Sequence, residues 1–302
     1  MNRNVMGTIF QIQRFCTHDG DRIRTTVFFK GCPLHCAWCH NPETIHKEKQ
    51  LMYHKNLCVS CGLCASVCGA GAHMITSSGE HELSREKCVL CGKCASVCPH
   101  GALEINGKVL DSDEIMKAIY EDKDFYAESG GGVTLSGGEP LSQPEFAVEL
   151  ARKCSEAGIR VLIDTAAQAS FEVFEDIMQY ADEYYVDLKA ATEEDYRKMT
   201  GGSLKPVTDN ITGLVKAGKS VTIRIPVIPG HNFSVEYMKK MADVLVPTGA
   251  KTVNLLPFHN LCAEKYTALG RKYPYSDIES LKKEQLVPLL ESFKGFDAII
   301  TN

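Results

Sequence analysis

Fourteen cysteines stand in this chain of 302 residues, and eleven of them fall into three tight groups. Gaps of two and three residues let neighbouring sulfurs converge on one ion or cluster. Those stretches are therefore expected to fold around metal rather than around an apolar core. The N-terminal MNRNVMGTIFQIQRFC carries no apolar run of signal-peptide length, and no window of about 18 apolar residues reads as a membrane span. The expected location is cytoplasmic, with no membrane partner, where reduced thiols argue against disulfides. Cys16, Cys154 and Cys262 stand apart and read as small side chains rather than ligands.

Two of the groups are copies of each other. Residues 58–68 read CVSCGLCASVC and residues 88–98 read CVLCGKCASVC, nine of eleven positions identical at an offset of 30. Each has the spacing C-x2-C-x2-C-x3-C, and the second runs into Pro99. This is the bacterial two-cluster ferredoxin pattern, in which the fourth cysteine of each run ligates the other cluster. The expected sets are Cys58, Cys61, Cys64 with Cys98, and Cys88, Cys91, Cys94 with Cys68. Residues 52–107 are then a ferredoxin-like insert holding two [4Fe–4S] clusters, and residues 1–51 with 108–302 form the domain around it.

The third group is Cys32-Pro33-Leu34-His35-Cys36-Ala37-Trp38-Cys39, with spacing C-x3-C-x2-C. Three thiolates can hold only three irons of a cubane, which leaves the fourth iron to an external ligand. A zinc site completed by His35 or His40 is the other reading of the same residues.

Around the cysteine-rich stretch, β-rich runs alternate with amphipathic helical ones. Strands are expected at 25–30, 133–136, 160–164, 184–188, 221–227 and 252–256, with a last one near 297–301. Helices are expected at 143–157, 171–180, 210–217, 235–246 and 278–292. Such alternation argues for βα units on a parallel sheet. The expected fold class is α/β, an incomplete (β/α)6 TIM-like barrel with the ferredoxin segment inserted after the first strand and its loop. In barrels of this kind the chemistry lies on loops at the C-terminal strand ends. Cys32, Gly137-Gly138-Glu139, Asp164, Asp187 with Lys189, and His259 all follow expected strands, so they would share one rim. A net charge of −5 without a Lys/Arg-rich run disfavours nucleic acid as the main partner.

With these motifs in place, the chain resembles a radical S-adenosylmethionine enzyme, and within that superfamily a glycyl radical enzyme activating enzyme. It is similar to the pyruvate formate-lyase activating enzyme, but with a two-cluster ferredoxin insert. The resemblance starts at Gly7-Thr8-Ile9-Phe10, His18-Asp19-Gly20, Ile23-Arg24-Thr25 and Phe28-Phe29-Lys30-Gly31-Cys32. It continues through Trp38-Cys39-His40-Asn41-Pro42-Glu43 and the paired ferredoxin motifs. It ends with Gly131 to Pro140 (GGVTLSGGEP), Val186-Asp187-Leu188-Lys189 and Leu255-Leu256-Pro257-Phe258-His259.

That resemblance implies reductive cleavage of S-adenosylmethionine to a 5′-deoxyadenosyl radical, which takes hydrogen from a backbone glycine of a partner glycyl radical enzyme. No acid–base residue is needed for that transfer. The protein has to bind, orient and exclude water. The cofactor contacts it implies are Trp38, Cys39, His40, Gly137, Gly138, Glu139, Asp164, Leu188, Lys189, Ala190, Arg224 and His259. Asp164, Thr165, Asp187 and the Tyr185 carbonyl resemble a monovalent-cation site, with Asp187–Lys189 as a plain surface salt bridge the other reading; for Arg224 a structural ion pair is equally open. Three [4Fe–4S] clusters are implied in all, the ferredoxin pair acting as an electron conduit fed by a flavodoxin or ferredoxin-type reductant.

The chain departs from the family pattern twice. Relatives commonly read HDGPGIRT, where this chain has Asp21-Arg22 in place of the Pro-Gly pair. After the third expected strand, Asp164-Thr165-Ala166-Ala167 replaces a motif ending in glycine. Both read as tuning towards a particular partner. The competing functions are another radical maturase and, from a different class, an electron-transfer iron–sulfur protein.

Overall fold

The computed structural model describes residues 5–17 and 19–301, so His18 lies outside the described residues. In chain order it contains β1 (Met6–Cys16), β2 (Arg24–Phe29), β3 (Gln50–Tyr53), α1 (Leu63–Val67), β4 (His73–Ile75), β5 (His81–Leu83), α2 (Lys93–Ser96), β6 (Leu103–Asn106) and β7 (Lys108–Asp111). It continues with α3 (Ser112–Tyr120), α4 (Lys123–Ser129), β8 (Gly132–Gly137), α5 (Pro144–Glu156), β9 (Arg160–Thr165), α6 (Phe171–Met178), β10 (Glu183–Asp187), α7 (Glu193–Thr200) and α8 (Leu204–Lys216). The last elements are β11 (Ser220–Val227), α9 (Val235–Leu245), β12 (Thr252–Pro257), α10 (Ala263–Ala268), α11 (Lys283–Leu286) and β13 (Asp297–Ile300).

Nine strands form one sheet in the order β13-β12-β11-β10-β9-β8-β2-β1-β7. From β2 to β13 every neighbour is parallel, while β1 pairs antiparallel with both β2 and β7. The sheet is open, with β13 and β7 at its edges. The parallel strands follow one another in sequence, as successive βα units require. The central strand β8 is covered on both faces and buries its first five residues, as a strand in the middle of an α/β sheet must.

Local chemistry explains the helices. Helix α5 starts with Pro144 in its first turn and buries Phe146, Ala147, Leu150, Ala151 and Cys154, a 3.6-residue stripe that packs on the sheet. Helix α3 opens with a capping box, in which the Asp111 side chain accepts the Glu114 N–H and Glu114 accepts the Asp111 N–H.

Three differences from the sequence expectations have simple causes. The strand expected first is second, because β1 precedes it as an antiparallel partner. The helix expected at 210–217 begins six residues earlier, at Leu204, since its first turn carries little apolar periodicity. The helix expected over 278–292 is a four-residue α11 followed by a 3-10 segment at Val287–Phe293. Pro288 removes an N–H and disfavours a continuous α-helix there.

Within residues 50–106, β3 pairs antiparallel with β6, and β4 pairs with β5 as a hairpin. The sequence repeat is also a backbone repeat. Ser60 and Leu90 have φ of 54° and 52°, and Gly62 and Gly92 have φ of 81° and 78° just before α1 and α2. A non-glycine residue in the left-handed region costs roughly 1–2 kcal/mol, so each C-x2-C-x2-C loop holds a strained turn. The segment meets the rest of the chain through Arg85, which donates to the Ala268 carbonyl while holding the Leu51 carbonyl within the segment, and through Met52 against Ala268 and Leu269. Among the described residues no helix is long and apolar enough to cross a membrane.

Candidate active site

The loop 32–39 leaves β2 at the rim where all the parallel strands end. It is tied at its base, where the Gly31 and Cys32 N–H groups donate to the Thr44 and Ile45 carbonyls at 2.7 and 2.9 Å. Its middle is tied to the end of α7, with His35 N–H on Thr200 O at 2.7 Å and Ala37 N–H on Met199 O at 3.0 Å. Leu34 is buried against Gly202, where any Cβ would collide with it.

The far end of the loop is held by α10, which sequence reasoning missed. Tyr266 OH donates to the Cys39 carbonyl at 3.0 Å. Lys265 Nζ reaches the His40 carbonyl, Asn41 Oδ1 and Glu43 Oε1 at 3.2, 2.8 and 2.6 Å. Arg271 donates to the Pro42 carbonyl. These contacts span more than 220 residues of sequence, so no local signal announces them. Trp38 is buried in an apolar cluster with Ile228, Phe258, Cys262, Tyr266 and Tyr273, its ring stacked on His231. Its indole is thus packed into an apolar cluster beside the loop.

Gly137 and Gly138 close the opposite side. Gly137 has φ of 115°. A Cβ at Gly138 would lie 2.6 Å from the Gly31 carbonyl oxygen and 2.7 Å from that of Thr44. The two glycines therefore let the end of β8 press directly on the cysteine loop. Glu139 N–H donates to the Gly31 carbonyl at 2.8 Å.

The Glu139 side chain turns inward. Its carboxylate accepts from Leu141 N–H at 3.0 Å, Thr165 OH at 2.8 Å and Ala166 N–H at 2.7 Å. Burial pushes its pKa up to about 7 against those three donors. The carboxylate thus braces the exit of β9 and is occupied by the chain itself.

The next three strands carry a charge cluster. Arg224 on β11 meets Asp164 Oδ1 at 2.7 Å and Asp187 Oδ1 at 3.1 Å, and lies over the Tyr185 ring. Asp187 Oδ2 holds Lys189 Nζ at 2.8 Å, and Ser136 OH donates to Asp164 Oδ2 at 2.7 Å. Burial raises the Asp164 pKa. Burial also acts on Asp187, but Lys189 and Arg224 outweigh it and hold its carboxyl below the ordinary range. The sequence expectation set a monovalent cation among Asp164, Thr165, Tyr185 and Asp187. In the structure the Arg224 guanidinium stands between the two carboxylates, and the Thr165 hydroxyl belongs to Glu139. Leu188 and Ala190 are fully buried, Leu188 N–H donating to the Arg224 carbonyl.

His40 and His259 stack with ring centroids 4.0 Å apart. Burial, then the neighbouring His259, drives the His40 pKa down to about 3. His40 Nε2, His259 Nδ1 and His231 Nε2 are buried without a hydrogen-bond partner among the described residues. Burial also pushes the Cys32 thiol up to about 12 and raises Cys36 and Cys39. Three soft donors that the fold alone does not ionise, with the buried Lys189 ammonium near enough to favour the thiolate of each, suit a metal centre.

The other eight cysteines sort into two cavities. Cys58, Cys61, Cys64 and Cys98 line one. Cys68, Cys88, Cys91 and Cys94 line the other.

Comparison with known proteins gives the class to which this site belongs. The Radical SAM superfamily description matches residues 26–245. Choline trimethylamine-lyase activating enzyme of Oleidesulfovibrio alaskensis is 39% identical over 295 residues, 96% of this chain and 95% of its own. Trans-4-hydroxy-L-proline dehydratase activating enzyme of Clostridioides difficile is 39% identical over 292 residues, 95% of this chain and 96% of its own. Among solved structures, Streptococcus suis SuiB bound to precursor peptide SuiA superposes with a TM-score of 0.50 at 15% identity, covering 65% of this chain and 43% of that one. That last likeness concerns the fold alone. The chain belongs to the Radical SAM superfamily, among the activating enzymes of glycyl radical enzymes. Membership implies a [4Fe–4S] cluster and S-adenosylmethionine, and the donor set at Cys32, Cys36 and Cys39 fits the cluster.

Proposed function

We propose that this chain installs the backbone radical of a partner glycyl radical enzyme, with Cys32, Cys36 and Cys39 holding the cluster that binds S-adenosylmethionine. The observation that carries this is the cysteine loop itself, tied by β2, α7 and α10 at the rim where the polar ends of five other strands meet. When bound, the cluster and S-adenosylmethionine supply one-electron reductive cleavage and a radical able to take hydrogen from a glycine Cα.

What the chain's residues do follows from their placement. Gly137 and Gly138 let β8 seat against the loop, and the buried carboxylate of Glu139 keeps the β9 exit in register. Lys189, with the backbone of Leu188 and Ala190, offers positive charge and peptide groups to the polar end of the cofactor. His40 and His259 offer ring nitrogens and a stacked face, with the backbone of Trp38 and Cys39 beside them. Asp164, Asp187 and Arg224 form the charged floor; a monovalent cation enters there with Thr165 and the Tyr185 carbonyl only by displacing the guanidinium.

We read residues 52–107 as a ferredoxin-like insert in a partial-barrel domain built from 1–51 and 108–302. Its two cavities hold a second and a third [4Fe–4S] cluster, on Cys58, Cys61, Cys64 and Cys98 and on Cys88, Cys91, Cys94 and Cys68. The support is that each cavity is lined by three cysteines of one repeat and the fourth of the other. The clusters pass an electron inward from a flavodoxin or ferredoxin-type reductant.

Relatives named for different lyases and dehydratases are equally similar, so identity does not choose the partner. The reduced protein should be incubated anaerobically with S-adenosylmethionine and a panel of glycyl radical enzymes, including a choline trimethylamine-lyase and a trans-4-hydroxy-L-proline dehydratase. A glycyl-radical EPR doublet on one of them is the expected result. Cofactor cleavage without a doublet on any would reject the activase reading.

A further inference from the structure

Between the two four-cysteine cavities lies a pair of buried histidines that neither repeat motif includes. His73 on β4 and His81 on β5 are 6% and 7% exposed, and His73 Nδ1 is 2.9 Å from His81 Nε2. The other nitrogen of His81, Nδ1, is 3.5 Å from Cys58 Sγ, while Nε2 is 3.6 Å from Cys64 Sγ. His81 lines the first cavity and His73 lines the second.

At 2.9 Å one nitrogen of the His73–His81 contact must be a donor and the other bare. One arrangement gives every close nitrogen a partner. His73 Nδ1–H donates to His81 Nε2, and His81 Nδ1–H donates to the Cys58 sulfur. The opposite tautomer leaves a lone pair of Nδ1 against the Cys58 sulfur and shares the Nε2 hydrogen between His73 and Cys64. In either case the sulfurs that His81 touches belong to the same set of four.

The repeat shows that this is an asymmetry. At the offset of 30, Ala72 corresponds to Ala102 and Ile75 to Ile105, whereas His73 corresponds to Leu103. Ile75 lines the first cavity and Ile105 the second, Ala102 the first and Ala72 the second, as the repeat requires. The imidazole pair is what the second repeat lacks.

We propose that His81, oriented by His73, donates a hydrogen bond to the Cys58 sulfur of the cluster held by Cys58, Cys61, Cys64 and Cys98 and raises the reduction potential of that cluster above that of its twin. This rests on the reading that both cavities hold clusters. Reduction adds negative charge to a cluster, and a donor on a ligand sulfur favours the more negative state. His81 is a positioning and tuning residue, not a ligand. The competing use of these atoms is a mononuclear ion on Cys64, His73 and His81, whose ligand atoms all lie within 4.8 Å of one another.

The test is a redox titration followed by EPR on the full-length, anaerobically reconstituted protein, with iron, sulfide and zinc counted per chain. In His81→Phe the midpoint of one auxiliary cluster should become more negative by about tenfold in the reduction equilibrium, 59 mV for a one-electron couple. The other midpoints should stay in place. His81→Gln, which keeps an N–H donor, should restore part of the difference. His73→Leu, which places at 73 the residue found at 103, should shift the same cluster in the same direction by less, and it reads the quantity if His81→Phe does not retain its clusters. Unchanged midpoints in cluster-replete His81→Phe and His73→Leu overturn the proposal. Iron for a single cluster in the wild type rejects the two-cavity reading instead, and with it the proposal. Stoichiometric zinc that is lost in both variants assigns the histidines as ligands and also overturns it.

Discussion

The Glu139 carboxylate accepts the Thr165 hydroxyl at 2.8 Å, and so joins the loop after β8 to the last residue of β9. Thr165 is itself fixed as the donor, because its oxygen already accepts the Ala167 N–H at 2.9 Å. In Glu139→Gln one amide hydrogen must face the donors that the carboxylate now accepts. A loss of about 1–3 kcal/mol in urea-denaturation stability is expected. The pH dependence has a definite sign. With its folded pKa raised to about 7 from 4.5, Glu139 contributes stability that is full below pH 4.5 and lost as pH rises through 7. The wild type should therefore lose stability across that window relative to Glu139→Gln. Equal slopes for the two proteins would reject the burial argument.

Arg224 carries the balance of charge between Asp164 and Asp187. Replacing it with Gln leaves two buried carboxylates facing each other, a change that costs about 3–5 kcal/mol when nothing fills the gap. A monovalent cation can fill it. The Tm of Arg224→Gln should rise more with KCl than with choline chloride at equal ionic strength, and the wild type should not distinguish the two salts. A variant that responds equally to both would show that no cation enters.

Lys265 is the hinge pin of the cysteine loop from its far side. Glu43 is fully buried and Lys265 is its one ion-pair partner among the described residues. Lys265→Met should strand that carboxylate and free the segment 40–43. The expected outcome is loss of one cluster's worth of iron per chain, read by iron assay, while the remaining iron and the secondary structure persist. Full iron retention would remove α10 from the account of the site.

Gly138→Ala probes the same loop from the β8 side. The added methyl meets two carbonyl oxygens at less than 3 Å, neither of which is a flexible side chain. Overpacking of this kind costs roughly 1–3 kcal/mol. The strain falls on Gly31 and Thr44, so the S-adenosylmethionine-dependent EPR change should weaken more than the overall Tm. A fall in Tm with an intact cofactor response would show that the strain relaxes elsewhere.

Much of this molecule could be read along the chain. The C-x3-C-x2-C loop and the paired C-x2-C-x2-C-x3-C runs are local, because ligands of one cluster must lie close in sequence for short loops to present them. The parallel strands were visible for a related reason. β8, β9 and β11 are short runs rich in apolar residues, and the helices that follow them, α5, α6 and α9, each bury an apolar stripe. The N-terminal strand β1 was not, because its exposed residues alternate irregularly and its bulges interrupt the period. The helix over 278–292 was misread because its apolar spacing continues through Pro288.

What the tertiary structure alone decided is who meets whom across long separations. The sequence places Asp164 and Asp187 at strand ends and Arg224 inside a strand, but does not say that a guanidinium sits between two carboxylates. Nothing near residue 265 marks it as a support for residues 40–43. Gly138 reads equally well as room for a ligand, and only the fold shows the backbone of Gly31 and Thr44 filling that room. His73 and His81 belong to no motif in the sequence, and only the pairing of β4 with β5 brings them together beside the cysteines. Ligand spacing and strand periodicity are short-range properties encoded in a few consecutive residues. Ion pairs, loop supports and hydrogen-bonded histidines depend on packing between elements, which no single stretch contains.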